Sequence, residues 1–211
     1  MERKFIITLL IWILALSGCG TIRVADPGEI ALSANEAVVF GKIIFIENNE
    51  IKIPYGLWGR KPMIRFFRIE SEEFLRWGFE PAYEKDGSFY WIVPRGTYIV
   101  PDIKFDYTIL PQVAFQIPYG ADAFYIGTLK IEVETKHIIF HYYPEKVNIM
   151  LTDNFDKEKE ILLKRNPDFT GKVEKALMIH DTSIPVDTSL YKQQKLLGIL
   201  NAIGFGLLTI H

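Results

Sequence analysis

Residues 124–134 restrict the fold more than any other part of this 211-residue chain. Leu129, Ile131 and Val133 alternate there with Lys130, Glu132 and Glu134. Only an extended strand turns a two-residue period into one apolar face and one wetted face. A helix would scatter the same side chains around its circumference. The chain must therefore build a sheet with a core on one side. Residues 37–46 end at the turn-forming pair Asn48-Asn49, and 63–69, 88–93, 97–100, 103–109 and 112–117 are rich in β-branched and aromatic residues. Residues 136–143 and 146–151 read as the next two strands, separated by a turn at Pro144-Glu145. Many short strands with frequent turn signals predict a mainly β fold, an antiparallel β-sandwich of immunoglobulin-like or prealbumin-like type.

Beyond residue 151 the period changes. Asp153 can cap a helix running to about Lys164, with Phe155, Ile161, Leu162 and Leu163 as its apolar side. Asn166-Pro167 suits the start of another short helix, in which Val173, Ala176 and Leu177 fall at i, i+3 and i+4. Residues 72–77 suggest a helical turn laid over the sheet. The tail 196–210 is strongly apolar but too short for a comfortable span, so it packs on the body, lies in a membrane interface or meets a partner. The expected divisions are a leader 1–18, a tether 19–36, a β-sandwich 37–151 and a small helical appendage with the apolar tail, 152–211.

The N-terminus carries a different signal. Glu2-Arg3-Lys4 precedes an apolar run from Phe5 to Leu16, broken only by Thr8. As a helix this run covers roughly 18 Å, well short of the ~30 Å hydrocarbon core, which fits an export signal better than a permanent span. Leu16-Ser17-Gly18-Cys19 follows at once, and Cys19 is the only cysteine. This segment resembles the lipobox of bacterial lipoproteins. The resemblance implies a diacylglyceryl group on the Cys19 sulfur, cleavage before it and palmitate-class acylation of the new amino group. Gly20 is not the aspartate that marks inner-membrane retention in many such proteins, so the resemblance implies an outer-membrane address facing the periplasm.

Asp86-Gly87-Ser88-Phe89-Tyr90-Trp91-Ile92-Val93-Pro94-Arg95-Gly96-Thr97-Tyr98 is the most patterned stretch. Asp-Gly supplies the positive φ angles of a tight hairpin turn, and Phe89, Trp91 and Val93 then share one strand face. The stretch resembles carboxypeptidase-regulatory-like and transthyretin-like β-sandwich modules, in which a D-G-x-F strand leads into a P-x-G-x-Y turn. That resemblance implies a module over residues 37–150 that stabilises, presents or binds without catalysing.

Several chemistries find no support. The net charge is −2 with no basic stripe, which argues against nucleic acid. His137 and His141 lie in a run that reads as a strand, where residues four apart are ~13 Å apart, so no metal site is expected. Asp102 and Asp106 suit a solvated strand face better than a catalytic pair. There is no G-x-S-x-G and no phosphate loop, so neither an enzyme nor a cofactor is expected. The aromatic cluster Phe66, Phe67, Phe74, Trp77, Phe79 and Tyr83, with Trp58 before it, fits core filling. Trp58, Trp77 and Tyr83 are nonetheless the candidate contacts for a carbohydrate, a hydrophobic ligand or an envelope protein. The expectation is a non-enzymatic lipoprotein that binds or scaffolds at a membrane surface.

Overall fold

The computed structural model describes residues 21–26, 28, 30–52, 63–71, 73–77, 83–104, 107–138 and 141–184. Expectations that fall on Cys19, Trp58, Asp106 and the tail 196–210 lie outside the described residues. The strands are β1 (Thr21–Val24), β2 (Glu36–Glu47), β3 (Glu50–Lys52), β4 (Met63–Ile64), β5 (Phe66–Arg68), β6 (Glu73–Trp77), β7 (Ser88–Pro94) and β8 (Gly96–Val100). They continue as β9 (Ile103–Lys104), β10 (Thr108–Ile109), β11 (Val113–Ile117), β12 (Ala123–Ile138) and β13 (His141–Thr152). Helix α1 (Phe155–Arg165) then precedes β14 (Val173–Lys175) and β15 (Ile179–His180). The fold is mainly β. The main path runs β13-β12-β2-β7-β1-β6-β5-β8-β11-β15, with β14 beside β12 and β3 beside β2. Strands β4, β9 and β10 form a small sheet of their own. Pairing is mostly antiparallel, but β1–β6, β2–β12 and β12–β14 run parallel.

One core joins both arms of this path. Val39, Ile43 and Phe45 from β2, with Phe89, Trp91 and Val93 from β7, meet Tyr98 and Val100 from β8 and Val113, Phe115 and Ile117 from β11. The rings stack and tilt as their quadrupoles favour: Phe89 lies 3.7 Å from Trp91, Phe66 meets Trp91 edge-on at 5.2 Å, and Tyr98 stacks on Phe115 at 5.1 Å. Leu129, Ile131 and Val133 are buried here, as their alternation requires.

A second apolar layer covers the other side. Val38, Phe40, Tyr90, Ile92 and Tyr125 pack against Leu162 of α1, with Ile30, Leu32 and Phe155 beside them. Acidic Asp156 and Glu158 in the first turn of α1, and basic Lys164 and Arg165 in the last, complement its dipole. The Asp153 carboxylate accepts the Phe155 N–H at 3.0 Å. Ile161 and Leu163 were expected on the apolar side but are exposed. The inward stripe is Phe155, Glu158, Leu162 and Arg165, spaced by three, four and three residues.

Four local expectations are corrected. Residues 173–177 form no second helix. Asn166 instead closes α1, its N–H and Nδ2 both donating to the Leu162 carbonyl. β13 pairs with β12 only from Thr128 onward, so the edge at Ala123–Tyr125 is free to take β14 in parallel. Within the expected helical turn 72–77, residues 73–77 are strand instead, because β6 fills the gap between β5 and β1. Residues 136–143 are not one strand: Ile138 of β12 pairs with His141 of β13, and Pro144 faces Thr135 beside a register shift. Proline lacks a donor and is tolerated at such an edge bulge, where a turn was expected. Lastly, part of segment 19–36 is strand rather than tether, since β1 lies between β7 and β6.

The turns follow residue chemistry. Asn48 and Asn49 have φ of 50° and 68°, the positive pair that a two-residue hairpin turn needs. At Asp86-Gly87 only the glycine is positive, with φ 88°. The Gly87 N–H donates to the Glu84 carbonyl and the Glu84 N–H to the Ser88 carbonyl, a three-residue loop ending in a glycine bulge. Where β2 meets β12, Gly41 faces the shift between Tyr125 and Thr128, and Gly127 has φ 104°. A Cβ on Gly41 would strike the Gly127 carbonyl and the Phe89 ring. Gly41→Ala should therefore cost about 1–3 kcal/mol through overpacking. The measurement is the urea midpoint, and an unchanged midpoint would show that the two backbones do not meet this closely.

Candidate functional site

Strand directions gather one set of loops at one end of the sheet. β1, β2 and β12 start there and β7 finishes there, because Glu36 pairs with Pro94 and Ala123 with Val38. The Pro94-Arg95-Gly96 turn is the hub. The Arg95 N–H donates to the Asn35 carbonyl at 2.8 Å. Its guanidinium is buried, with Nη1 donating to Pro118 at 2.6 Å and Nη2 to Ala121 at 2.7 Å. The same group lies 5.5 Å from the Tyr119 ring centroid and 5.9 Å from that of Phe124. Carbonyl dipoles and ring faces thus solvate this cation. The Tyr98 hydroxyl donates to the Pro94 carbonyl, and burial pushes that phenol's pKa up. Arg68 Nη2 donates to the Arg95 carbonyl at 2.6 Å, while Glu70 accepts the Thr97 N–H at 2.7 Å. The turn is locked to three neighbouring loops.

A cleft of about 250 Å³ opens beside this corner, among Ile30, Leu32, Asp122, Asn166, Asp168 and Phe169. Asn166 is structurally committed there, since its Oδ1 accepts the Gly28 N–H at 2.9 Å. Asp122 Oδ2 accepts the Lys172 N–H at 2.9 Å. The cleft is lined by apolar Ile30, Leu32 and Phe169 and by the carboxyl-bearing Asp122 and Asp168.

Toward the opposite end, charged groups lie under α1. Lys42 pairs with Asp86 at 2.6 Å. Arg165 pairs with Glu84 and sits 4.6 Å from the Tyr90 ring centroid. Glu158 is only 4% exposed. Burial raises its pKa; the charges of Lys42 and Lys157 pull the other way, and Asp86 adds to the rise. Burial, helped by the Glu84 charge, pushes Tyr90 up to about 12. Arg165 thereby fastens the end of the helix to the Glu84 loop and to the Tyr90 ring of β7.

The residues singled out by the sequence do not come together as a described site. Cys19 and Trp58 lie outside the described residues. Trp77 is placed by its backbone in β6, in register with Ile22. Tyr83 bridges Phe89 through its backbone and packs half-buried against the core, and Phe66 and Phe67 are buried. His137 and His141 stand on the two strands of one hairpin, in register with Tyr142 and Ile138 respectively. His180 Nδ1 donates to the Pro111 carbonyl at 2.7 Å. Asp102 was expected on a solvated face, yet it is buried in a two-pronged pair with Arg65, whose Nε donates at 2.6 Å. Among the described residues there is no group of three or more metal-holding side chains. No helix among them is long and apolar enough to cross a membrane.

Two features escaped the sequence reading. Arg95 was read as a turn residue, although a cation beside Pro and Gly between two apolar strands hints at a carbonyl clamp. Glu158 stands four residues before Leu162, on the stripe that faces the sheet. Compared with known proteins, the chain matches no family model, no curated sequence and no solved structure.

Glu158 makes a pH prediction with a definite sign. A carboxyl whose folded pKa is raised contributes stability below its unfolded value, near 4.5, and loses it as pH climbs through the folded value. Glu158→Gln should therefore flatten the part of the pH profile above 4.5 and gain relative to the parent as pH rises. Urea midpoints of both proteins at several pH values from 4.5 to neutrality measure the difference, and parallel profiles would refute the assignment.

Proposed function

We propose that this chain is exported, acylated on Cys19 and held at a membrane surface as a non-enzymatic envelope lipoprotein that binds or scaffolds. One observation carries the reading. A charged start, a twelve-residue apolar run and small residues lead directly into the only cysteine. Two or three acyl chains make a stable anchor where one would be marginal, because each buried CH₂ contributes ~0.8 kcal/mol. Gly20 after the cysteine favours the outer membrane, with the body in the periplasm.

The body itself reads as a β-sandwich akin to carboxypeptidase-regulatory-like and transthyretin-like modules. Support comes from the Tyr98 hydroxyl bound back to the Pro94 carbonyl, the kind of corner that pins strand crossovers in sandwich folds. A single core shared by β2, β7, β8 and β11 also favours it. The rigid corner around Arg95 and the small cleft next to it offer a platform for a partner. Ligand capture through residues 58–83 would rest on Trp58 and Trp77, because Tyr83 already packs inward.

The test is Cys19→Ser in the full chain. The variant should lose the acyl mass from its N-terminus and shift from the membrane fraction to the soluble fraction. Its recovery in the membrane fraction with the acyl chains still attached would overturn the reading.

A further inference from the structure

β1 begins at Thr21, two residues beyond Cys19. It is no edge strand: Arg23 and Val24 pair with Ile92 and Trp91 of β7, while Thr21 and Ile22 pair with Arg76 and Trp77 of β6. Ile22 belongs to the main core, and Ala25 is buried in the second layer. Two residues of chain span at most about 7 Å. A lipid on Cys19 therefore leaves no room for a slack tether, and the start of β1 must sit at the bilayer surface.

The register shows what accompanies it. β1 is antiparallel to β7, so its start lies toward Pro94 and the Arg95 corner. Asn35, Pro118 and Ala121 are bound to Arg95 itself. Tyr119, between Pro118 and Ala121 in the loop bound to Arg95, is 65% exposed, its ring near the Arg95 guanidinium and its hydroxyl donating to Asn35 Oδ1 at 3.3 Å. A tyrosine with an apolar ring and a polar tip suits the headgroup level of a membrane. Two ion pairs at this end lie within the body: Arg23 with Glu36, and Arg68 with Glu70. The β12–β13 hairpin runs the other way, and the 16 residues of β12 cover about 50 Å at ~3.3 Å per residue.

We propose that the Arg95 corner rests directly on the phospholipid headgroup layer, with Tyr119 at the interface and the β12–β13 hairpin pointing away from the membrane. This orientation depends on the acylation of Cys19 proposed above. It makes the lipid surface a second contact of the folded body, beyond the acyl chains. It also places Ile138 and His141, the distal ends of β12 and β13, farthest from the membrane among the described residues.

The test uses the full chain, processed in cells, with Tyr119→Cys, Ala34→Cys or Glu145→Cys as its one unacylated thiol. Ala34 lies in the exposed turn before β2, at the same end as Tyr119, and Glu145 lies near the hairpin tip. Each thiol receives a nitroxide, and the protein is placed in vesicles of phosphatidylethanolamine and phosphatidylglycerol. Collisions with oxygen, which concentrates in lipid, are compared with collisions with a water-soluble nickel chelate. The ratio at positions 119 and 34 should exceed that at 145 several-fold. If labelling at 119 disturbs folding, position 34 decides. Intact mass of the same samples reports acylation. An acylated protein with equal ratios at all three positions overturns the orientation and leaves the anchor standing. A protein without acyl mass overturns both.

Discussion

Strand β7 has no face in water, and the rest of the molecule is arranged around that constraint. Phe89, Trp91 and Val93 enter the main core, while Tyr90 and Ile92 enter the layer beneath α1. A strand buried on both faces must satisfy its backbone through both neighbours, because an unpaired buried N–H or C=O costs about as much as a lost hydrogen bond. β2 supplies one neighbour along the full length of β7 and β1 supplies the other. Hence β1 is a structural requirement of the body, although it begins only two residues after Cys19. Pulling it out would expose the centre of the sheet.

The same constraint explains the helix. Were Tyr90, Ile92, Phe40 and Tyr125 left uncovered, they would form an apolar patch on the outer face of the sheet. α1 covers it, and the chain then returns as β14 to fill the part of the β12 edge that β13 leaves open. Segment 173–180 runs on from β14 to β15 and so pairs with β12 and then with β11. One short stretch of chain thereby ties the two extremes of the strand path together.

The legible parts of the sequence were those where a single face is wetted or a turn has its own chemistry. Leu129, Ile131 and Val133 announced their strand because Lys130, Glu132 and Glu134 mark its other side. Asn48-Asn49 announced its turn because asparagine tolerates positive φ. Errors arose where a neighbour decided the outcome. Residues 173–177 carry a helical spacing, yet the vacant β12 edge took them as a strand. Pro144 looked like a turn because its place on an edge bulge depends on where β12 ends. Asp102 looked solvated because nothing in the sequence ties it to Arg65, 37 residues away. Pairing the corner loops with Arg95 likewise needs three dimensions, since its two carbonyl acceptors lie 23 and 26 residues downstream.

The Arg95 corner and the placement of β1 bear on each other. A buried guanidinium held only by carbonyl oxygens and ring faces is expensive to desolvate, and an apolar replacement of similar volume often serves stability as well. Its advantage is geometric, because a planar fork fixes two carbonyls at once. Here it fixes the loop 118–121 and, through its own N–H, the turn at Asn35. Both border the strand end that emerges toward Cys19. With Cys19 acylated as proposed, two residues would separate the lipid from β1, and a corner pinned by these hydrogen bonds would narrow the orientations open to the body. Under that proposal, a loose corner would let the body tilt on its anchor and sweep β12 and β13 through a wide arc. On the same proposal the clamp at residue 95 would act at the far end of the molecule, on how steadily the distal ends of β12 and β13 are held out from the lipid surface.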